Sequence, residues 1–216
     1  ALAFAIYTHN AGTLKLTAQC FPLLPEEPKE ATLELLIGGN WEKVQQASVV
    51  YPGWSLHFRI DGWDSSKDVQ YRVQLGELSK YEGLIRKDPV DKKSIVLASM
   101  SCNSPADKPR YARTQMVANL LEHDPDLLFF AGDQNYIHDE PTYGWLMFGV
   151  QFGKVMKDRP TICIPDDHDV GHPNLWGESG KKAIARDFDG GYLYPASFVN
   201  MAVSYTHLRA HETNSN

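Results

Sequence analysis

The sequence predicts two kinds of architecture in succession: an all-β sandwich, then an α/β segment in which parallel strands alternate with helices. Three observations carry that expectation. Up to residue 88, short segments with period-two alternation are separated by Gly, Asn and Pro turns. Lys87 to Lys93 then forms a charged, proline-containing connector. Beyond it the apolar residues gather into solid runs, each followed by a helical pattern or a polar loop.

The alternating segments are Leu14 to Gln19, Thr32 to Ile37, Ser55 to Ile60 and Val69 to Leu75. Between them lie Asn10-Ala11-Gly12, Pro25 to Pro28, Gly38-Gly39-Asn40, Pro52-Gly53 and Asp61-Gly62, where Gly and Asn accept positive φ and Pro fixes it. With Trp41, Trp54 and Trp63 available for a core, residues 1–88 read as an immunoglobulin- or fibronectin-like module, either whole or lacking a first strand. After the connector, Ser94 to Ser99, Leu127 to Ala131 and Thr161 to Ile164 are continuous apolar runs of the kind buried on both faces of a parallel sheet. Tyr111 to His123 places Met116, Leu120 and Leu121 near one helical face, and a second, Gly-interrupted helix is expected over Tyr143 to Met156.

At 216 residues the chain has room for one large domain or two small ones, and 43% hydrophobic with 22% charged residues excludes a disordered or collagen-like polymer. The 21 Lys and Arg against 27 Asp and Glu leave a net charge of −6, which disfavours a dedicated nucleic-acid binder. No apolar run reaches the roughly 20 residues that span a bilayer, and Leu2 to Ile6 lacks the basic region of a signal peptide. A first residue that is Ala leads us to expect a processed chain or a fragment. Three cysteines, Cys20, Cys102 and Cys163, leave at least one thiol free.

Each of the three apolar runs of the α/β segment leads straight into a group able to ligate or to move a proton. Cys102 follows the first, Asp133 the second, and Asp166-Asp167-His168-Asp169 the third. Groups just beyond the carboxyl ends of neighbouring parallel strands converge on one crevice. Carboxylates so crowded repel one another unless a cation holds them, so a metal site is the simplest reading.

Ala131 to Tyr136 (AGDQNY) and Ile164 to Gly171 (IPDDHDVG) resemble two motifs of the calcineurin-like metallophosphoesterases. Taken with Cys102 in ASMSCN and with DDHDVGHPNLWGE at 166–178, they resemble more narrowly the alkaline phosphatase D (PhoD-like) branch, over about Ser94 to Met201. That resemblance implies the first half of an α/β metallophosphatase domain over 94–202, behind a β-rich module. It implies that Asp133 bridges two metals, that Tyr136 and Cys102 ligate one of them, and that Asp167 stands where other members have an Asn ligand. It implies a dinuclear or multinuclear centre, Fe(III) with Ca²⁺ being expected from the phenolate, thiolate and carboxylate donors, and Mn²⁺, Mg²⁺ or Zn²⁺ being alternatives. His168 would act as general acid toward the leaving oxygen of a phosphate ester. A periplasmic or extracellular bacterial location is expected on the same ground.

Blander readings stand beside these. A lone Cys is more often a small buried hydrophobe, and Gly132-Asp133 alone would be a turn; strand-end position and Tyr136 tip both toward ligation. Cys163 is assigned to packing, and Cys20 either to the sandwich core or to a free surface thiol. Asp166 and Asp169 either orient His168 or face solvent, and His138 and His172 are read as solvated loop residues. Asn174, Trp176 and Glu178 are pocket walls by resemblance only. The histidine ligands that the family carries on later strands do not follow residue 201, and residues 203–216, with His207 and His211, read as a non-native tail. The expectation is a fragment of a phosphatase or phosphodiesterase with little turnover of its own. The alternative is a non-catalytic adhesion or carbohydrate-binding module resting on the tryptophans.

Overall fold

The computed structural model describes residues 1–104, 113–171, 174–175, 180–184 and 190–206, the side chains of 203–206 excepted. It is mostly β-sheet with few helices. Strands β1 (Leu2–Asn10), β2 (Thr13–Cys20) and β5 (Ser55–Asp61) form one antiparallel sheet in the order β1-β2-β5. Strands β3 (Glu30–Ile37), β4 (Asn40–Ser48), β6 (Val69–Leu75) and β7 (Ser79–Ile85) form a second, in the order β4-β3-β6-β7. Gly38 and Gly39, at φ +58° and +88°, make the two-residue turn between β3 and β4, a turn whose twist matches that of the strands and which requires positive φ at both positions. Leu14, Leu16, Leu33, Leu35, Phe58, Tyr71 and Val73 are among the residues that fill the space between the sheets.

A first strand is present, which the sequence reading left open. β1 carries four consecutive buried residues, Phe4 to Tyr7, and so lacks the alternation by which half-buried strands are recognised. Ala5 and Tyr7 enter the sandwich core, whereas Phe4 and Ile6 point the other way into a second core. Trp41 is not a core residue: it is partly exposed, with the Arg72 guanidinium 4.5 Å from its ring centre, while Trp54 and Trp63 lean against the sandwich core.

The second core belongs to a three-stranded parallel sheet ordered β10-β9-β8, formed by β8 (Leu97–Met100), β9 (Leu127–Ala131) and β10 (Thr161–Ile164). Helix α1 (Arg113–His123) connects β8 to β9, and α2 (Pro141–Met156) connects β9 to β10; 111–112, where the sequence reading starts the first helix, lie outside the described residues. Helix α3 (Ala196–Thr206) follows and runs past residue 202. Phe130, Trp145, Phe148, Phe152, Val155 and Met156 pack with Phe4 and Ile6 of β1. Gly149 makes that approach fit, because a Cβ there would lie 1.9 Å from Phe4 Cε1. Polar contacts cross the same seam: Trp145 Nε1 donates to Gln19 Oε1 at 3.1 Å, and the Tyr81 hydroxyl to the Gly153 carbonyl at 3.2 Å.

Burial on both faces, expected of all three runs, is not what β8 and β10 show: β10 alternates, with Ile162 and Ile164 exposed, and β8 departs further. The expected run Ser94 to Ser99 was to be buried on both faces, but only Leu97–Met100 pair with β9, and Ile95, Val96 and Leu97 are exposed. β8 has a single strand neighbour among the described residues, so one of its edges is open.

Candidate metal centre

The carboxyl ends of β8, β9 and β10 meet at one edge of the parallel sheet. Just past β8 and β9, hydrogen bonds from Cys102 N to Gly132 O at 3.4 Å and from Asn103 N to Asp133 O at 2.8 Å hold the two loops side by side. Cys102 and Asp133 both sit in the left-handed region, at φ +58° and +59°. That conformation is uncommon for residues with a Cβ, and its occurrence at two neighbouring strand ends marks a place where the surroundings dictate the backbone.

Asp133 is buried. Its Oδ2 accepts the Tyr136 hydroxyl at 2.9 Å and the Cys102 thiol at 3.5 Å. Its Oδ1 is buried and has no hydrogen-bond partner among the described residues. In addition, one donor atom each from Asp133, Asp167 and His168 all lie within 4.8 Å of one another. Asp133 is therefore common to two donor groups, Cys102–Tyr136 and Asp167–His168. All five residues proposed from sequence are brought together, and the carboxylate shared between them is the buried one.

Asp169 explains the shape of the two loops. It is 3% exposed, and its Oδ2 accepts the backbone N–H of Asp133 at 2.7 Å and of Asp166 at 3.0 Å, while Oδ1 accepts Asn135 N–H at 2.9 Å. It neither orients His168 nor faces water, the two roles weighed from sequence; it binds the loop after β9 to the loop after β10. Gly132, at φ +91°, is needed where those loops touch, since a Cβ there would lie 2.5 Å from Asp166 Cβ. Gln134 adds a tie, donating from Nε2 to Phe130 O at 3.3 Å and to Ile164 O at 3.2 Å.

Asp166 accepts Asp167 N–H at 2.8 Å and remains exposed, and Asp167 accepts His168 N–H at 2.8 Å and also the N–H of Asn174. His138 is not the solvated loop histidine read from sequence. Its Nε2 lies 2.7 Å from His168 Nδ1, and the two rings are 4.9 Å apart at 24°. The Tyr136 ring covers His168 at 4.0 Å and 30°. Only the short spacing from Asp133 to His138 hinted at this. His172, Trp176, Glu178, His207 and His211 lie outside the described residues. Cys163 is buried in the second core, as assigned, and Cys20 is buried in the sandwich core, the first of the two alternatives read for it.

Burial, and then hydrogen bonds to Cys102 and Asp133, hold the Tyr136 phenol well above its ordinary value. Burial, reinforced by the Asp133 carboxylate, pushes Asp169 up to about 7 against the pull of its three N–H donors. Both shifts have one physical origin: negative groups are crowded where water is scarce, so protons are retained. A cation answers the same demand. Asp133 Oδ1, unpartnered among the described residues, and the carboxylate, phenol and thiol donors around it fit a metal ion, with the His168 imidazole left beside them.

No protein family profile matches the chain, and no curated protein sequence matches it either. Among solved structures, it is similar to a purple acid phosphatase isolated from yellow lupin (Lupinus luteus) seeds, with a TM-score of 0.64 at 13% identity. The match covers 98% of this chain and 41% of that one, so the chain spans well under half of its length. At that identity the likeness is one of fold. A cycloisomaltooligosaccharide glucanotransferase of a Paenibacillus species matches over 63% of this chain and 21% of its own, at 14% identity and a TM-score of 0.34. A family 64 β-1,3-glucanase of Paenibacillus barengoltzii matches over 45% of this chain and 26% of its own, at 8% identity and 0.27. Neither reaches a similarity that bears on this fold.

Proposed function

We propose that the chain carries the first part of the metal site of a phosphoester hydrolase of the alkaline phosphatase D type, in the α/β portion behind an immunoglobulin- or fibronectin-like sandwich. The observation that carries the reading is Asp133: buried, shared by two donor groups, and with one carboxylate oxygen unpartnered among the described residues. The purple acid phosphatase fold supports it at the level of architecture. In this reading Cys102 and Tyr136 would hold one ion, Asp167 would contribute to the other, and Asp133 would serve both. Phenolate and thiolate suit Fe(III), and Ca²⁺ is the proposed neighbour, with Mn²⁺, Mg²⁺ and Zn²⁺ as substitutes. When bound, such a pair supplies positive charge to phosphoryl oxygens and acidifies a water molecule.

The chain's own residues do the rest. Asp169 fixes the backbone of Asp133 and Asn135, so that the shared carboxylate is presented without reorganisation. Tyr136 stacks on His168 and limits the imidazole to one plane. A ring nitrogen of His168 gives its proton to the leaving oxygen as the phosphorus–oxygen bond breaks. A periplasmic or extracellular setting is part of the same proposal. The adhesion alternative draws little support from the tryptophans, since Trp54 and Trp63 pack on the sandwich core and the partly exposed Trp41 has the Arg72 guanidinium over its ring.

Elemental analysis and visible absorption after reconstitution with Fe(III), comparing the protein with Tyr136→Phe, test the reading. The expected result is retained iron with a charge-transfer band that the variant loses. Failure of the protein to retain any metal would remove the basis for the reading.

A further inference from the structure

His138 has no part in the roles assigned so far, yet its ring nitrogen lies within hydrogen-bond distance of His168. Nε2 of His138 lies 2.7 Å from Nδ1 of His168, with the ring planes 24° apart. The two histidines come from different loops, 30 residues apart in sequence. Those loops are pressed together by the Asp169 bonds, and by Gly171, whose Cβ, were there one, would lie 3.0 Å from the His138 carbonyl oxygen. The contact is thus a consequence of how the two strand ends are joined, rather than of two side chains meeting in solvent.

We propose that His138 is a positioning residue for His168, accepting a hydrogen bond from His168 Nδ1–H so that Nε2 is left to handle the proton of the leaving oxygen. The proposal rests on the phosphoester reading for the role of His168, but its geometry does not. The direction of the bond follows from proton balance. His168 donates from Nε2 while the electron pair of the breaking phosphorus–oxygen bond passes to the leaving oxygen, which takes that proton. For His168 to end the step as a neutral imidazole, Nδ1 must hold a proton before and after. The only direction compatible with that is Nδ1–H of His168 to the lone pair on Nε2 of His138, which places the proton of a neutral His138 on its own Nδ1. With Nδ1 engaged by His138 and one ring face covered by Tyr136, rotation of the imidazole about its axis is blocked on two sides. A carboxylate could accept the same bond. A neutral imidazole does so without adding another negative charge beside Asp133 and Asp167.

The test is nitrogen-15 NMR of the metal-free chain at alkaline pH, reading the two-bond proton–nitrogen correlations that distinguish the neutral histidine tautomers. His168 signals are assigned by their loss in His168→Gln. The expected result is His168 mainly as the Nδ1–H tautomer in the unaltered protein. It should change to mainly Nε2–H in His138→Leu, which keeps bulk but accepts nothing, and return to Nδ1–H in His138→Gln, whose carbonyl accepts. A mainly Nε2–H His168 in the unaltered protein, or a tautomer that ignores His138→Leu in a variant with native amide dispersion, would overturn the inference. Iron retention in the same samples reports on the phosphoester reading separately: absence of metal sinks that reading and leaves the tautomer result standing.

Discussion

Replacing Asp169 by Ala should unfold the candidate centre without touching any proposed ligand. The side chain is 3% exposed and accepts three backbone N–H groups, from Asp133, Asp166 and Asn135, at 2.7, 3.0 and 2.9 Å. A buried donor left unsatisfied costs about 1–3 kcal/mol. Three of them would sum to roughly 3–9 kcal/mol, before subtracting the relief of removing a buried carboxylate and allowing the loops to admit water. A net loss of about 3–5 kcal/mol is expected, a large part of the roughly 5–15 kcal/mol that stabilises an ordinary domain. For a chain of this size that corresponds to a fall in Tm of about 6–20 °C. Urea unfolding at neutral pH, followed by tryptophan fluorescence, reads the loss; metal binding measured below the new melting point should weaken as well, because the backbone at Asp133 is no longer held. A variant within about 1 kcal/mol of the parent would show that the three bonds do not carry the loops, and would refute the account.

Three further outcomes follow from the same geometry. Asp169 is pushed up to about 7, so between its ordinary value of 3.8 and that point the folded chain holds a proton that the unfolded chain releases. Its contribution is full below the lower value and is lost as pH rises through the upper one; in chelator, the stability of the parent relative to Asp169→Asn should fall over that window and level off above it. Gly149→Ala should lose about 1–3 kcal/mol by thermal unfolding despite the better helix propensity of Ala, since its Cβ would lie 1.9 Å from Phe4 Cε1. Native-state alkylation should modify Cys102 quickly and spare Cys20 and Cys163, which are buried and whose thiols burial pushes up, to about 11 for Cys20. Reconstitution with Fe(III) should then slow the reaction of Cys102.

Residue types revealed the fold where burial follows a simple period. β6, β9 and β10 occupy the residues read from the sequence, because β6 alternates and the other two are short solid apolar runs. β4 was illegible for the opposite reason: Asn40–Ser48 has hardly a buried residue and exists by pairing with β3. β1 was missed because both of its faces are covered, by different partners. At the site, the gathering of Cys102, Asp133, Tyr136, Asp167 and His168 was legible, since parallel strands deliver their ends to one edge whatever lies between them. The parts played by Asp169 and His138 were not. Both depend on how two loops are pressed together, and a backbone N–H pointing at a carboxylate leaves no mark in residue identity.

The double duty of β1 also sets an order of events during synthesis. Residues 1–85 contain every strand of the sandwich, and on a ribosome they emerge before the helix Pro141–Met156 exists. A sandwich closed at that stage would carry Phe4 and Ile6 on its outside, an oily stripe waiting for Trp145, Phe148 and Phe152. The nascent chain is therefore stickiest while residues 86–141 are being made, and a pause in translation there would prolong the interval in which a chaperone, or another nascent chain, meets that stripe first.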